Sequence, residues 1–412
     1  MKVTRHLTGA TLTAIMAVGG LASVGAPSGA SANEAVNPVH AALTGGTPTV
    51  FLRYRFENVD DDAFDDDASL DSLQTRLGYR TGAVAGVSGY FEFSATRHGM
   101  VDDVGPPDYP VVADPEVTRV NQAFLDYDTG LDTQARLGNQ RIKLDNDRWV
   151  GNVGFRQQEQ TYNALRLTST AVPDLNIDYS YAYRVNRIGP FEPEKGDFHL
   201  LNLRYAGLDA VTLTAYGYLL DFDDWVARSS DTFGVRATGR SPLQGDLALL
   251  YTAEYAVQSD AGDNPDSYSA SYMLADLGVA TGPLTVRAAY EVLGSDGGDY
   301  AVQTPLATLH AHNGWTDQFL GTPAAGLVDL SLSASFQATD RTRLMAVYRD
   351  YSSDEGSIDY GSEIGLLAGY TLPCGATLEA KYAAFSADDG PADGGIRDGD
   401  INKLWLTAQK AF

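Results

Sequence analysis

The chain has 412 residues and carries 29 Lys and Arg against 54 Asp and Glu, a formal net charge of −25. So acidic a balance argues against nucleic acid as a partner. Cys374 is the only cysteine, which excludes an intrachain disulfide and a thiolate metal cage.

At the N-terminus Lys2 and Arg5 precede an apolar run over residues 12–24, and a small-residue stretch closes with Ala30, Ser31 and Ala32. This pattern predicts a signal peptide over 1–32, with cleavage before Asn33 and export across the inner membrane. Residues 33–48 are expected to form a short periplasmic lead-in. Beyond them charged or amide side chains recur every few positions, so no window reaches the roughly twenty apolar residues of a membrane helix.

The first predicted strand, 49–57, sets Val50, Leu52, Tyr54 and Phe56 opposite Arg53, Arg55 and Glu57. Alternation is cleanest in 175–185, where Ile177, Tyr179, Tyr181, Tyr183 and Val185 oppose Asp178, Ser180, Ala182 and Arg184. It returns at 327–338 and at 376–386, where Leu378, Ala380 and Tyr382 oppose Thr377, Glu379 and Lys381. The other strands are predicted near 71–81, 87–97, 118–128, 131–140, 161–170, 198–206, 210–220, 230–239, 246–257, 266–276, 283–293, 341–351, 361–371 and 402–412. Period-two alternation with 23 Tyr and 42 Gly also suits a secreted sandwich, so strand count and connections decide.

Eighteen strands of this length and an even number match a bacterial transmembrane barrel. The connections alternate: 60–68, 98–117, 141–160, 186–197, 294–326 and 387–401 are long, whereas 82–86, 128–130, 171–174, 207–209, 339–340 and 372–376 are tight. Residues 49–412 are therefore expected to close into one antiparallel barrel in the Gram-negative outer membrane, with short periplasmic turns and long extracellular loops. Its partners would include outer-membrane lipid and lipopolysaccharide. The last strand ends on Phe412 with Leu404, Leu406 and Ala408 on one face, the terminal pattern that barrel-assembly machinery reads.

Two long-loop segments are more specific: LGNQRIKLDNDRWVGNVGFRQQEQTY over 137–162 and TPLATLHAHNGW over 304–315. With RVNQAFLDY over 119–127 and VNR over 185–187, they resemble the alginate export family of outer-membrane porins. Asn139 and Phe155 depart from that pattern, which has a basic residue and a Trp there. The resemblance implies an 18-stranded barrel whose lumen binds a polyuronate through arginines.

The alternation itself directs Arg53, Arg55, Arg76, Arg80, Arg136, Arg166, Arg184, Arg204, Arg236 and Arg287 into the lumen. Guanidinium groups grip carboxylates in two-pronged fashion and keep their charge, so these residues are expected to line the pore and favour anionic small molecules or polysaccharide. Equally, they pair with inward Glu57, Asp178, Glu254, Glu291 and Glu379 to satisfy a polar wall. The loop cluster Arg141, Lys143, Asp145, Asp147, Arg148, Arg156 and Glu159 reads as a constriction that contacts the permeant or as a self-paired plug.

Trp149 and Trp315 are expected to offer faces on which a sugar stacks. His310 and His312 lack a third ligand at metal spacing and read as loop anchors. The run DDDAFDDD over 60–67 lacks the Gly and distal Glu of an EF-hand and reads as a solvated loop with at most loosely bound calcium. No nucleophile elbow, zinc helix or phosphate loop is present, so no enzymatic activity and no cofactor are expected. The expected function is a pore for diffusion or export of anionic solutes, alginate-type uronates among them. The alternative is a structural or adhesive barrel with a plugged lumen and cation-binding acidic loops.

Overall fold

The structure, a computed structural model, describes residues 37–105, 108–189, 191–388 and 399–412. The signal-peptide reading of 1–32 lies outside the described residues. Within the lead-in, Pro38–Thr44 form a short helix, α1, capped by Asn37 Oδ1 accepting from the Val39 amide at 2.9 Å. The helix is tied to the short-turn rim, where the Gly82 amide donates to the Ala42 carbonyl at 2.9 Å.

From Thr47 onward strand follows strand. Each of the eighteen predicted strands is present, with edges shifted by a few residues, and neighbours pair antiparallel throughout. The first barrel strand, β1 (Thr47–Asp61), pairs with β2 (Ala68–Arg80) on one side and with the last strand, β20 (Ile401–Ala411), on the other. That second pairing closes an 18-stranded barrel. Closure leaves no backbone edge unpaired, as a hydrocarbon environment demands. A two-residue ribbon, β14 (Ser295–Asp296) with β15 (Tyr300–Ala301), belongs to the 294–326 loop and not to the barrel.

The two faces of the wall differ in the way alternation predicts. Leu52, Leu77, Phe93, Leu125, Val235 and Leu332 lie exposed on the outside. In water such a band would be an aggregation surface; in a bilayer it is the lipid-facing wall. Apolar hollows among Leu344, Leu366 and Leu404 lie on this outer face, where acyl chains and not ligands fill them.

Register shifts recur along the wall, and two of them re-aim side chains beside the infolded loops. In β7 (Leu175–Asn186) the register slips between Ala182 and Arg184, so Val185 pairs with Tyr162 and both are fully buried in the lumen. Arg184 instead pairs with Asn163, which lies between inward Tyr162 and Ala164, so Arg184 points outward. The expected inward Arg184 and outward Val185 are thus exchanged. Between β3 (Val87–Asp103) and β4 (Val117–Asp128) a second slip turns both Asn121 and Gln122 inward onto Glu92, at 2.7 and 3.3 Å.

Candidate pore constriction

Two long loops fold into the barrel and join there. After β5 (Thr133–Gln140) the 141–160 loop turns inward, and Val150 forms a parallel bridge with Leu306 of the 294–326 loop. The Gly151 amide donates to the Leu306 carbonyl and the Thr308 amide to the Asp147 carbonyl, both at 2.9 Å. Gly151 is required at this junction, because a Cβ there would lie 2.2 Å from Thr308 Oγ1. Ile142, Val150 and Leu306 are buried at the seam.

The inward fold is held by the polar wall. Arg156 reaches Glu57 Oε2 and Asp317 Oδ2, each at 2.9 Å. The Gln157 amide donates to Asp114 Oδ1 at 2.6 Å, and its side chain donates to Ser72 Oγ at 2.9 Å. Glu159 sits between Arg76 and Arg141, 2.5 Å from each, and accepts from Asn121 at 2.7 Å. The surrounding guanidiniums hold the Glu159 carboxyl below its ordinary pKa against the opposing effect of burial. Trp149 Nε1 donates to Glu254 at 2.9 Å on the far wall. On β18 (Asp359–Thr371), Glu363 accepts from the Trp315 and Thr316 amides at 2.6 and 3.0 Å. Gly365 makes room beside it, since a Cβ there would meet the Trp315 ring at 2.7 Å.

Most of the nominated arginines are engaged by this framework. Arg53 donates to Gln157 Oε1 at 2.8 Å and to the carbonyls of Gly154 and Arg156. Arg55 donates to the Phe155 carbonyl at 2.6 Å. Both are largely covered by the loop, so they brace it more than they face a permeant. Arg80 and Arg136 share Asp126 at 2.9 and 2.6 Å, Arg287 grips Asp276 with two nitrogens, Arg166 pairs with Asp178, and Arg236 pairs with Glu254. Arg204 lies exposed near the short-turn end with no ion pair among the described residues.

Three other placements differ from expectation. Arg148, expected at the pore surface, is 1% exposed and lies 3.0 Å from Glu291 at an angle that leaves its Nε and Nη2 without a hydrogen bond. Trp149 is packed between Tyr216 and Tyr272, with ring centroids 6.0 and 5.1 Å away. Trp315 has Lys381 Nζ over its ring at 4.1 Å. Neither indole keeps an open face for a sugar, because loop packing covers both. The loop charges are also not wholly self-paired: Lys143 meets Asp147 at 2.9 Å, whereas Arg148 and Arg156 reach wall carboxylates. Truncating Arg148 to Ala is therefore expected to shift the reversal potential in a salt gradient toward cations, by leaving the Glu291 charge uncompensated; an unchanged potential would count against this.

Below the loops, toward the short-turn end, a polar cavity of about 410 Å³ is bordered by Arg53, Arg55, Arg341, Arg343, Phe155 and Glu379. Arg341 and Arg343 were missed by the sequence reading, although the inward row of β17 (Thr342–Ser352) could have supplied Arg343. Both are exposed and have no ion pair among the described residues. Asp114, Asp317 and Lys381 were also missed; the first two lie in loops, where no periodicity marks them.

With this geometry in hand, comparison with known proteins settles the fold. No family model and no curated relative matches the chain. Solved structures do. OpdL of Pseudomonas aeruginosa matches at 14% identity with a TM-score of 0.68, covering 90% of this chain and 99% of that one. OccAB3 of Acinetobacter baumannii matches at 14% identity and 0.71, covering 90% and 100%. The chain has the fold of the Occ and Opd outer-membrane porins. OpdK of Pseudomonas aeruginosa, solved with vanillate, matches at 12% identity and 0.70, covering 90% and 99%. The structures matched are Occ and Opd porins, and they lend no support to the alginate-family resemblance of residues 137–162 and 304–315. The fold and its lipid-facing band place the barrel in a Gram-negative outer membrane.

Proposed function

We propose that the protein is an outer-membrane diffusion pore for small anionic solutes and has no enzymatic activity. The observation that carries this reading is the pair of joined loops folded inside a closed barrel, with the uncommitted guanidiniums of Arg341 and Arg343 beside the cavity beneath them. Infolded loops narrow a lumen that a barrel of this size otherwise leaves as a wide channel, and fixed charge at the narrowing selects by sign. Carboxylates are the permeant class that guanidiniums recognise best. Vanillate, carried by the OpdK structure, belongs to that class, and so do the uronates implied by the loop motifs.

Ion selectivity and block test this reading. In a planar bilayer the pore should be anion-selective, and vanillate or oligouronates should reduce the current. Exposed ion pairs are worth about 0.2–1 kcal/mol each, so the double variant Arg341→Ala with Arg343→Ala should weaken block by roughly two- to thirtyfold. Unchanged block in that variant would remove the cavity from the permeation path.

The density of loop contacts favours a second reading, a plugged structural or adhesive barrel whose acidic 60–67 loop binds calcium loosely and bridges to lipopolysaccharide. Folded protein that does not conduct would select it. In either case the strand ending at Phe412 is proposed to engage barrel-assembly machinery.

A further inference from the structure

His310, in the 294–326 loop, is held in a way that only its neutral form satisfies. Its Nδ1 lies 2.7 Å from Asp317 Oδ1, and its Nε2 lies 2.6 Å from Nζ of Lys381 on β19 (Thr377–Ser386). Over the acid range, where Lys381 carries its proton, the ammonium donates and has no lone pair, so Nε2 accepts from it and the one ring proton sits on Nδ1, donated to Asp317. Phe155 stacks on the imidazole at 3.5 Å between centroids, and Trp405 meets it edge-on at 5.4 Å. The ring is sealed from solvent.

Charged groups converge on this pair from every neighbouring element. Arg156 of the 141–160 loop lies 2.9 Å from Asp317 Oδ2, and Lys403 of β20 lies 3.4 Å from the same oxygen. Glu57 of β1 and Asp114 of the 104–116 loop stand 2.9 and 3.9 Å from Arg156. Arg55 of β1 lies over the Phe155 ring at 4.1 Å, and Glu379 of β19 and Glu363 of β18 act on Lys381 from further away.

We propose that His310 is an acid-released latch that holds the 294–326 loop, and through Asp317 and Arg156 the 141–160 loop, inside the barrel. A second ring proton has only Nε2 to occupy, and there it displaces the Lys381 hydrogen bond and sets two cations against each other in a poorly hydrated site. Burial, opposed by Asp317 and reinforced by Lys381, pushes the His310 imidazole down to about 3. A group whose charged form is disfavoured in the closed state contributes fully above its ordinary value, about 6.5. That contribution is lost progressively as pH falls from there toward 3. Only the effect on current rests on the pore reading; the latch is a property of the packed loops.

The full chain, folded in detergent and in liposomes, is titrated from pH 7.5 to 4 by tryptophan emission and by proteolysis of the 294–326 loop, with bilayer current recorded in parallel. Trp315 and Trp405 touch the latch and report its opening. The expected result is a red shift and severalfold faster loop cleavage with a midpoint below 6.5. His310→Gln should abolish the transition, since the amide keeps a donor and an acceptor but does not titrate. Lys381→Met should also abolish it, since protonated His310 then keeps Asp317 with no cation at Nε2. A flat titration of folded wild-type protein, or the same transition in both variants, overturns the latch. An emission transition without current at any pH supports the latch and removes the pore reading.

Discussion

Replacing Arg156 by Ala is expected to unseat the 141–160 loop while leaving the barrel assembled. The guanidinium is buried and lies 2.9 Å from both Glu57 and Asp317, with Asp114 at 3.9 Å. Burial acts to lower its pKa, yet Glu57 and Asp317 hold it above the ordinary arginine value. Removing one partner from a buried charge network strands the others, at a cost of about 3–5 kcal/mol. That cost falls on the loop, because Glu57 stays fixed by the β1 ladder on both sides whether or not Arg156 is present. The variant should therefore retain the mobility of a folded barrel on an unboiled gel, while an added protease cleaves within 141–160 many times faster than in the parent. Unchanged cleavage would mean that the Val150–Leu306 seam and the Gln157 contacts hold the loop alone.

An arginine on the lipid face should be far more damaging than one placed a single residue away. Leu332 stands near the middle of β16 (Leu327–Thr339) and is 55% exposed on the outer wall, whereas Ser333 borders a cavity inside the lumen. Leu332→Arg is expected to destabilise the barrel by about 2–4 kcal/mol in a bilayer, the range for a basic residue on the lipid face near the midplane. Ser333→Arg stays in the polar lumen, where it stands opposite Arg287 but shares a cavity with Asp276 and keeps access to water, so it should cost clearly less. Urea unfolding in liposomes, followed by tryptophan emission, reads the difference. Equal effects of the two variants would contradict the assignment of faces.

That assignment was legible in the sequence because a strand repeats its facing every second residue and each strand carries several votes. Tyr54 outward with Arg53 and Arg55 inward follows from the repeat alone. Arg184 and Val185 were misplaced because a bulge changes the phase within a strand and leaves no mark in an alternating pattern. The participation of 141–160 and 304–315 in the site was visible from motif content, but their mutual packing was not. Nothing in the spacing of Val150 and Leu306, or of Arg156 and Asp317, signals a contact across more than 140 residues of chain. The same holds for Lys381: its inward row was evident, its pairing with His310 was not. Inward arginines read equally as a ladder for the permeant or as partners of inward carboxylates; most are occupied, because a wide polar lumen must satisfy its own charges before it meets any solute.

The proposed pore is open, prefers anions and is constricted by the joined loops. Recording the purified protein in a planar bilayer under a tenfold chloride salt gradient tests it most directly. The expected result is a reversal potential of the anion-selective sign and a current that added vanillate or oligouronate reduces. Cation selectivity without block, or folded barrels that pass no current, would contradict it.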